Sequence, residues 1–363
     1  MGAIMNTRNF LALALVGLGL QANAADKEKS PEAQPAPAAA KAGAKVPHVY
    51  PKFGHIDRLD PALDALLAPG AEIEKLAEGF KWSEGPVWIA NGQYLLFSDV
   101  PNNVVFRWKE GEKTTDWILP SGYTGKTPRG GEPGSNGLTL DASGRLVLCQ
   151  HGDRQVARRE ANGKFTPLAQ YYNYRRFNSP NDVAFRKNGD FYFTDPPYGL
   201  VKNVDDPAKE LPFQGVYRVT PKGKVDLLTR ELTRPNGIAF SPDEKKMYVA
   251  VSDSEAPNYW VYDVRKDGLV ENGRILFSAK HLIKTGPGMP DGLKVDLKGN
   301  LWASGPGGIL IITPEGKHLG TINTGQPTAN CAWGNDGSTL YITANHILCR
   351  IKTLSKGAMP GAR

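Results

Sequence analysis

Six residues that could hold a hard cation recur along the chain, each at the head of an apolar run: Glu84 in EGPVW, Asn136 in NGLTL, Asn181 in NDVAF, Asn236 in NGIAF, Asp291 in DGLKV and Asn330 in NCAWG. Two carboxylates and four amides are all oxygen donors. Gathered without partners, the acids would repel each other and lose hydration, a cost that a divalent ion relieves. Oxygen-only ligation suits calcium, or magnesium and manganese, better than a thiolate-seeking metal. One Asn-Gly or Asp-Gly alone would be a turn. Six aligned copies, the first carrying Glu, a poor turn former, argue instead for a shared site.

The elements that would have to gather these residues follow from the spacing. Successive positions are 52, 45, 55, 55 and 39 residues apart, a period near those of blade-type repeats. In the third unit, NDVAF is a first strand, RKNGD a turn, FYFT a second strand, GVYRVT a third and VDLLT a fourth. Alternating apolar positions and Gly/Asn/Asp turns are the hairpin signals expected of a four-stranded blade. The sixth unit lacks a fourth strand, and residues 73–78, just before the first repeat, can supply it and close the ring. The expected fold is all-β: a six-bladed β-propeller over residues 48–363, with a short helix at 61–67, capped by Asp60, outside the ring. In such a ring the first strand of each blade lines the tunnel, so the six residues converge at one mouth.

Composition fits and narrows the reading. A 363-residue chain with 40% hydrophobic content, 40 Gly and 28 Pro can bury a sizeable core in many short elements. The net charge of +7 is scattered, with no basic stripe interleaved with aromatics, which argues against nucleic acid as a partner. Arg8, the apolar run 10–20 and Ala22-Asn23-Ala24 read as a secretory signal over residues 1–24, too short to span a membrane. A flexible Ala/Pro-rich linker would follow over 25–47, placing the protein in the periplasm or outside the cell. Cys149, Cys331 and Cys349 fit no zinc spacing. A strand lies between the last two, so all three are expected as buried free thiols.

The motifs SEGPVW (83–88), SNGLTLD (135–141), HGDRQVARRE (151–160), SPNDVAF (179–185), TDPPYGL (194–200), RPNGIAFSPDE (234–244) and MPDGLKVD (289–296), in this order, resemble the SMP-30/gluconolactonase/luciferin-regenerating-enzyme family, its secreted bacterial gluconolactonases above all. The resemblance spans roughly residues 70–350. It implies a metal-dependent lactone hydrolase for a small-molecule lactone, a sugar lactone such as glucono-1,5-lactone first. It also implies one divalent ion held by Glu84, Asn236 and Asp291, with Asn181 at or beside it and touching substrate. Calcium is the first choice, with magnesium, manganese or zinc as alternatives. Animal members carry Arg two residues before the Asn181 position; here it is Ser179, so their substrate clamp does not transfer. Asp291 is the candidate base, the alternative being that the ion lowers the pKa of water.

Asn136 and His151 are further substrate-contact candidates, with an exposed turn histidine as the plainer reading of the second. Asp195, Tyr198 and Asp253 sit at hairpin ends, where turn capping is the simpler role. No Gly-x-Ser-x-Gly elbow is present to anchor a serine hydrolase. Two other functions stay open: a paraoxonase-like esterase/lactonase on non-sugar substrates, and a non-catalytic binding propeller stabilised by calcium. Oligomeric state is not legible.

Overall fold

The computed structural model of the protein describes residues 48–361; the signal and linker expected over 1–47 lie outside the described residues. Alternation of apolar residues with period two drives the architecture. In Phe191–Asp195, Phe191 and Phe193 pack toward the second blade while Tyr192 packs toward the fourth, because successive side chains leave opposite faces of a strand. Inner strands buried on both faces therefore read as near-continuous apolar runs, such as LWASG and GILII.

The result is the expected six-bladed propeller of four-stranded antiparallel blades. Their first strands are Ser83–Ile89, Ser135–Leu140, Val183–Phe185, Pro235–Phe240, Leu293–Val295 and Thr328–Gly334. Six apolar clusters fill the wedges between neighbouring blades. The wedge between blades six and one is closed by Trp88 stacked on Tyr341, with centroids 5.3 Å apart and planes at 14°. A full burial of one such side chain is worth about 1.5–3 kcal/mol, so every wedge contributes to closure.

Ile73–Glu78 completes blade six as expected, pairing Ile73 with Ile351 and Glu78 with Ile347. Two short strands were not anticipated. Lys52–Phe53 adds a fifth strand to blade six, and His55–Arg58 adds a fifth to blade five. Both are short, each tucking one apolar side chain, Phe53 and Ile56, against the core, and they cover outer edges that would otherwise be open. The short helix is a 3₁₀ turn, Pro61–Ala65, whose Ala62 N–H donates to Asp60 Oδ1 at 2.9 Å. It lies outside the ring, with Leu63 buried against Leu319 and Ile322. The three cysteines are free and buried, with Ile342 paired between Cys331 and Cys349. No helix among the described residues is long and apolar enough to cross a membrane.

Candidate functional site

The site is built by four first strands, which carry Glu84, Asn136, Asn236 and Asn330, and by Asn181 and Asp291, each two residues ahead of the strand it leads into. The residue after most donors is small because the next blade leaves no room. A Cβ on Gly85 would lie 2.0 Å from the Asn136 carbonyl oxygen, on Gly237 2.3 Å from that of Asp291, and on Gly292 1.9 Å from Asn330 Cγ. Gly85 also has φ +50°, which favours glycine. Four of the first strands carry a register shift at the donor itself, between Glu84 and Val87, Ser135 and Leu138, Pro235 and Ile238, and Thr328 and Asn330. Such bulges re-aim side chains beside functional sites.

Hydroxyls lock each of several donors to the blade before it. Ser98 Oγ donates to the Asn136 carbonyl at 2.9 Å, Thr194 Oγ1 to that of Asn236 at 2.6 Å, and Ser304 Oγ to that of Ala329 at 2.7 Å. These bonds fix donor positions on the first strands or beside them.

Glu84 is buried, and its Oε2 accepts from Gly85 N at 2.8 Å and from Asn330 Nδ2 at 3.2 Å. Burial pushes its carboxyl up to about 7, against the pull of the Gly85 bond and with a further push from Asp182. Burial likewise raises Asp291 well above the usual carboxylate range, joined by the charges of Glu84, Asp182 and Glu132. Among the described residues neither Glu84 nor Asp291 has an ion-pair partner. Asp291 Oδ1, Asn136 Oδ1 and Asn181 Oδ1 are shielded from water and lack any hydrogen bond. Asn236 commits its amide nitrogen to Ser252 Oγ at 2.9 Å, which leaves its oxygen for the tunnel. Buried oxygens without partners call for an ion or water, and a set of two acids and several amides fits a hard divalent cation. No three His, Cys, Asp or Glu side chains form a metal cluster among the described residues; the donors here are a mixture of acid and amide.

Three expectations need correction. Asn330 cannot offer its oxygen, because Oδ1 already accepts from Lys294 Nζ at 3.1 Å and from Cys331 N at 2.9 Å. It supports Glu84 instead. His151 is not an exposed turn residue: it is wholly buried, with Nε2 3.4 Å from Asn181 Nδ2 and Nδ1 3.3 Å from Glu132 Oε2. Tyr198 is not a turn cap. Burial first, and then the charge of Asp291, raise its hydroxyl, which faces the site rather than its own hairpin.

Asp253 caps a turn, accepting from Glu255 N at 2.9 Å, while Asp195 accepts from Asn178 N and Ser179 N at 2.8 Å and so ties the end of its strand to the segment ahead of the blade's first strand. Ser179 spends its hydroxyl on the Pro196 carbonyl at 2.5 Å and accepts from Gly199 N at 2.9 Å, so it offers no clamp.

Sequence reasoning missed three participants. Asp182 and Lys294 lie beside the donors in the tunnel, 3.9 Å apart between Nζ and Oδ2. Both stand in the quoted motifs, but their inward aim depends on how the first strands enter the tunnel. Glu132 arrives on the connector between blades one and two, which has no repeat pattern to announce it. The ends of the same first strands farthest from the donors line a separate cavity of about 980 Å³, bounded by Leu140, Phe185, Phe240, Val295 and Trp333 and reached by Lys294.

The family described as SMP-30/gluconolactonase/LRE-like region matches residues 82–346. The chain belongs to that family. It is 42% identical to a gluconolactonase of Zymomonas mobilis over 311 residues, covering 84% of this chain and 87% of that protein. Among solved structures, a gluconolactonase of Xanthomonas campestris superposes with a TM-score of 0.72 at 31% identity, over 84% of this chain and 97% of the other. A regucalcin from Agrobacterium tumefaciens shares the fold, with a TM-score of 0.63 at 19% identity over 79% and 95% of the two chains.

Proposed function

We propose that the protein hydrolyses a lactone, a sugar lactone such as glucono-1,5-lactone first, at a divalent cation held by Glu84, Asn181, Asn236 and Asp291. The observation that carries this reading is the set of shielded, unpartnered oxygens on Asn136, Asn181 and Asp291 beside an unpaired, buried Glu84. The likeness to two gluconolactonases, at 42% and 31% identity, supports the substrate class.

When bound, the cation, calcium before magnesium, manganese or zinc, supplies Lewis acidity to the lactone carbonyl. The chain's own groups do the rest. Asp291 Oδ1, free of hydrogen bonds, accepts a proton from the attacking water as its oxygen adds to the carbonyl carbon. The ring C–O bond then breaks, and Asp291 returns the proton to the departing alkoxide, giving the hydroxy acid. Asn136 is placed to bond a substrate hydroxyl, while Tyr198 and Ser252 fix the polar wall next to Asp291.

A pH-stat assay on glucono-1,5-lactone, before and after EDTA and with each divalent ion restored, tests the reading. Turnover should vanish with chelation and return with one ion. Turnover on phenyl acetate but not on aldonolactones would favour the paraoxonase-like alternative. Ion-dependent stability without turnover on any lactone would leave a binding propeller. The export reading of residues 1–24 is part of the proposal, and finding the protein only in the cytosolic fraction would overturn it.

A further inference from the structure

We propose that Glu132 is a positioning residue that acts through His151 to turn the side-chain oxygen of Asn181 toward the cation site. This rests on the cation site proposed above. The two ends of an asparagine amide are nearly equal in size, so hydrogen-bond partners decide which end faces a ligand. Asn181 Nδ2 lies 3.4 Å from His151 Nε2. An amide nitrogen only donates, so Nε2 must accept, and the proton of the neutral ring must sit on Nδ1.

The group facing Nδ1 is Glu132 Oε2, at 3.3 Å but outside aligned hydrogen-bond geometry, and nothing else takes that atom. A carboxylate there favours the Nδ1–H tautomer. The nitrogen of Asn181 is thereby engaged and its oxygen is left buried, unpartnered and available.

Glu132 is held in place by its own connector. Arg129 donates to the carbonyls of Gly152, next to His151, at 2.9 Å, and of Gly199 across in the third blade. Its guanidinium lies 5.4 Å from the Tyr123 ring centre. The connector between blades one and two therefore governs a donor that the third blade supplies.

The test reads the ring directly. Nitrogen NMR of ion-free protein at about pH 8, where an ordinary imidazole is neutral, should show His151 protonated on Nδ1. Glu132→Ala should shift it toward Nε2–H and weaken calcium binding, titrated calorimetrically without substrate, by about tenfold. Glu132→Gln, whose carbonyl still accepts from Nδ1–H, should restore both. An Nε2–H ring in the native protein, or a Glu132→Ala variant with unchanged tautomer and calcium affinity, overturns the proposal. Failure of the native protein to bind any ion would defeat the cation site itself, and the tautomer spectra would still decide whether Glu132 sets the ring.

Discussion

The amide nitrogen of Asn330 donates to Glu84 Oε2 at 3.2 Å across 246 positions of chain, and its oxygen is held in turn by Lys294 Nζ at 3.1 Å. An amine thus fixes the orientation of a carboxylate it does not touch. Lys294→Met should free the Asn330 amide and leave Asp182 without its nearest cation. The expected loss is about 1–3 kcal/mol of stability, measured by denaturant unfolding in EDTA. An unchanged midpoint would show that the relay is not needed.

The ion-free and ion-bound proteins should respond to pH with opposite sign. Burial raises Glu84 from its ordinary 4.5 to about 7 and raises Asp291 above 3.8. Folding therefore favours their protonated forms: in EDTA, the stability they contribute is complete at acid pH and is lost as pH rises through about 7. A bound cation needs the ionised forms, so its stabilising effect should grow over the same window. Melting temperatures with and without calcium across that range check this, and Glu84→Gln should flatten the fall in EDTA.

Gly292→Ala would place a Cβ 1.9 Å from Asn330 Cγ. Asn330 must then shift, costing about 1–3 kcal/mol and weakening calcium binding through Glu84. At Gly70 a Cβ would have no neighbour within 4 Å, so Gly70→Ala should stay within about 0.5 kcal/mol. Equal effects at both sites would remove the close approach as an explanation.

Deleting residues 48–79 along with everything before them should leave blades five and six with open outer edges at His318–Asn323 and Ile347–Lys352. Such edges pair with other chains. Size-exclusion chromatography should find aggregate or no soluble protein, whereas a chain beginning at His48, which keeps both edge strands, should elute as a single folded species.

The ring and its closure were legible because six donor-headed strands recur and the last unit visibly lacks a strand. The same pattern singled out Glu84, Asn181, Asn236 and Asp291 as equivalent positions at the heads of four first strands. Asn330 was misjudged because repeat position predicts where a side chain starts, while the orientation of its amide depends on Lys294 from a neighbouring blade. His151 and Glu132 meet only after a connector without periodicity folds back, so no local pattern announces their contact. The strands Lys52–Phe53 and His55–Arg58 carry too few apolar residues to register as strands, and they exist because the edges of blades five and six accept them.

Blade six is assembled from both extremities of the propeller: Ile73–Glu78 hydrogen-bonds to Ile347–Lys352. The earlier strand is therefore made long before its partner, and the circle can latch only once Ile347–Lys352 exists.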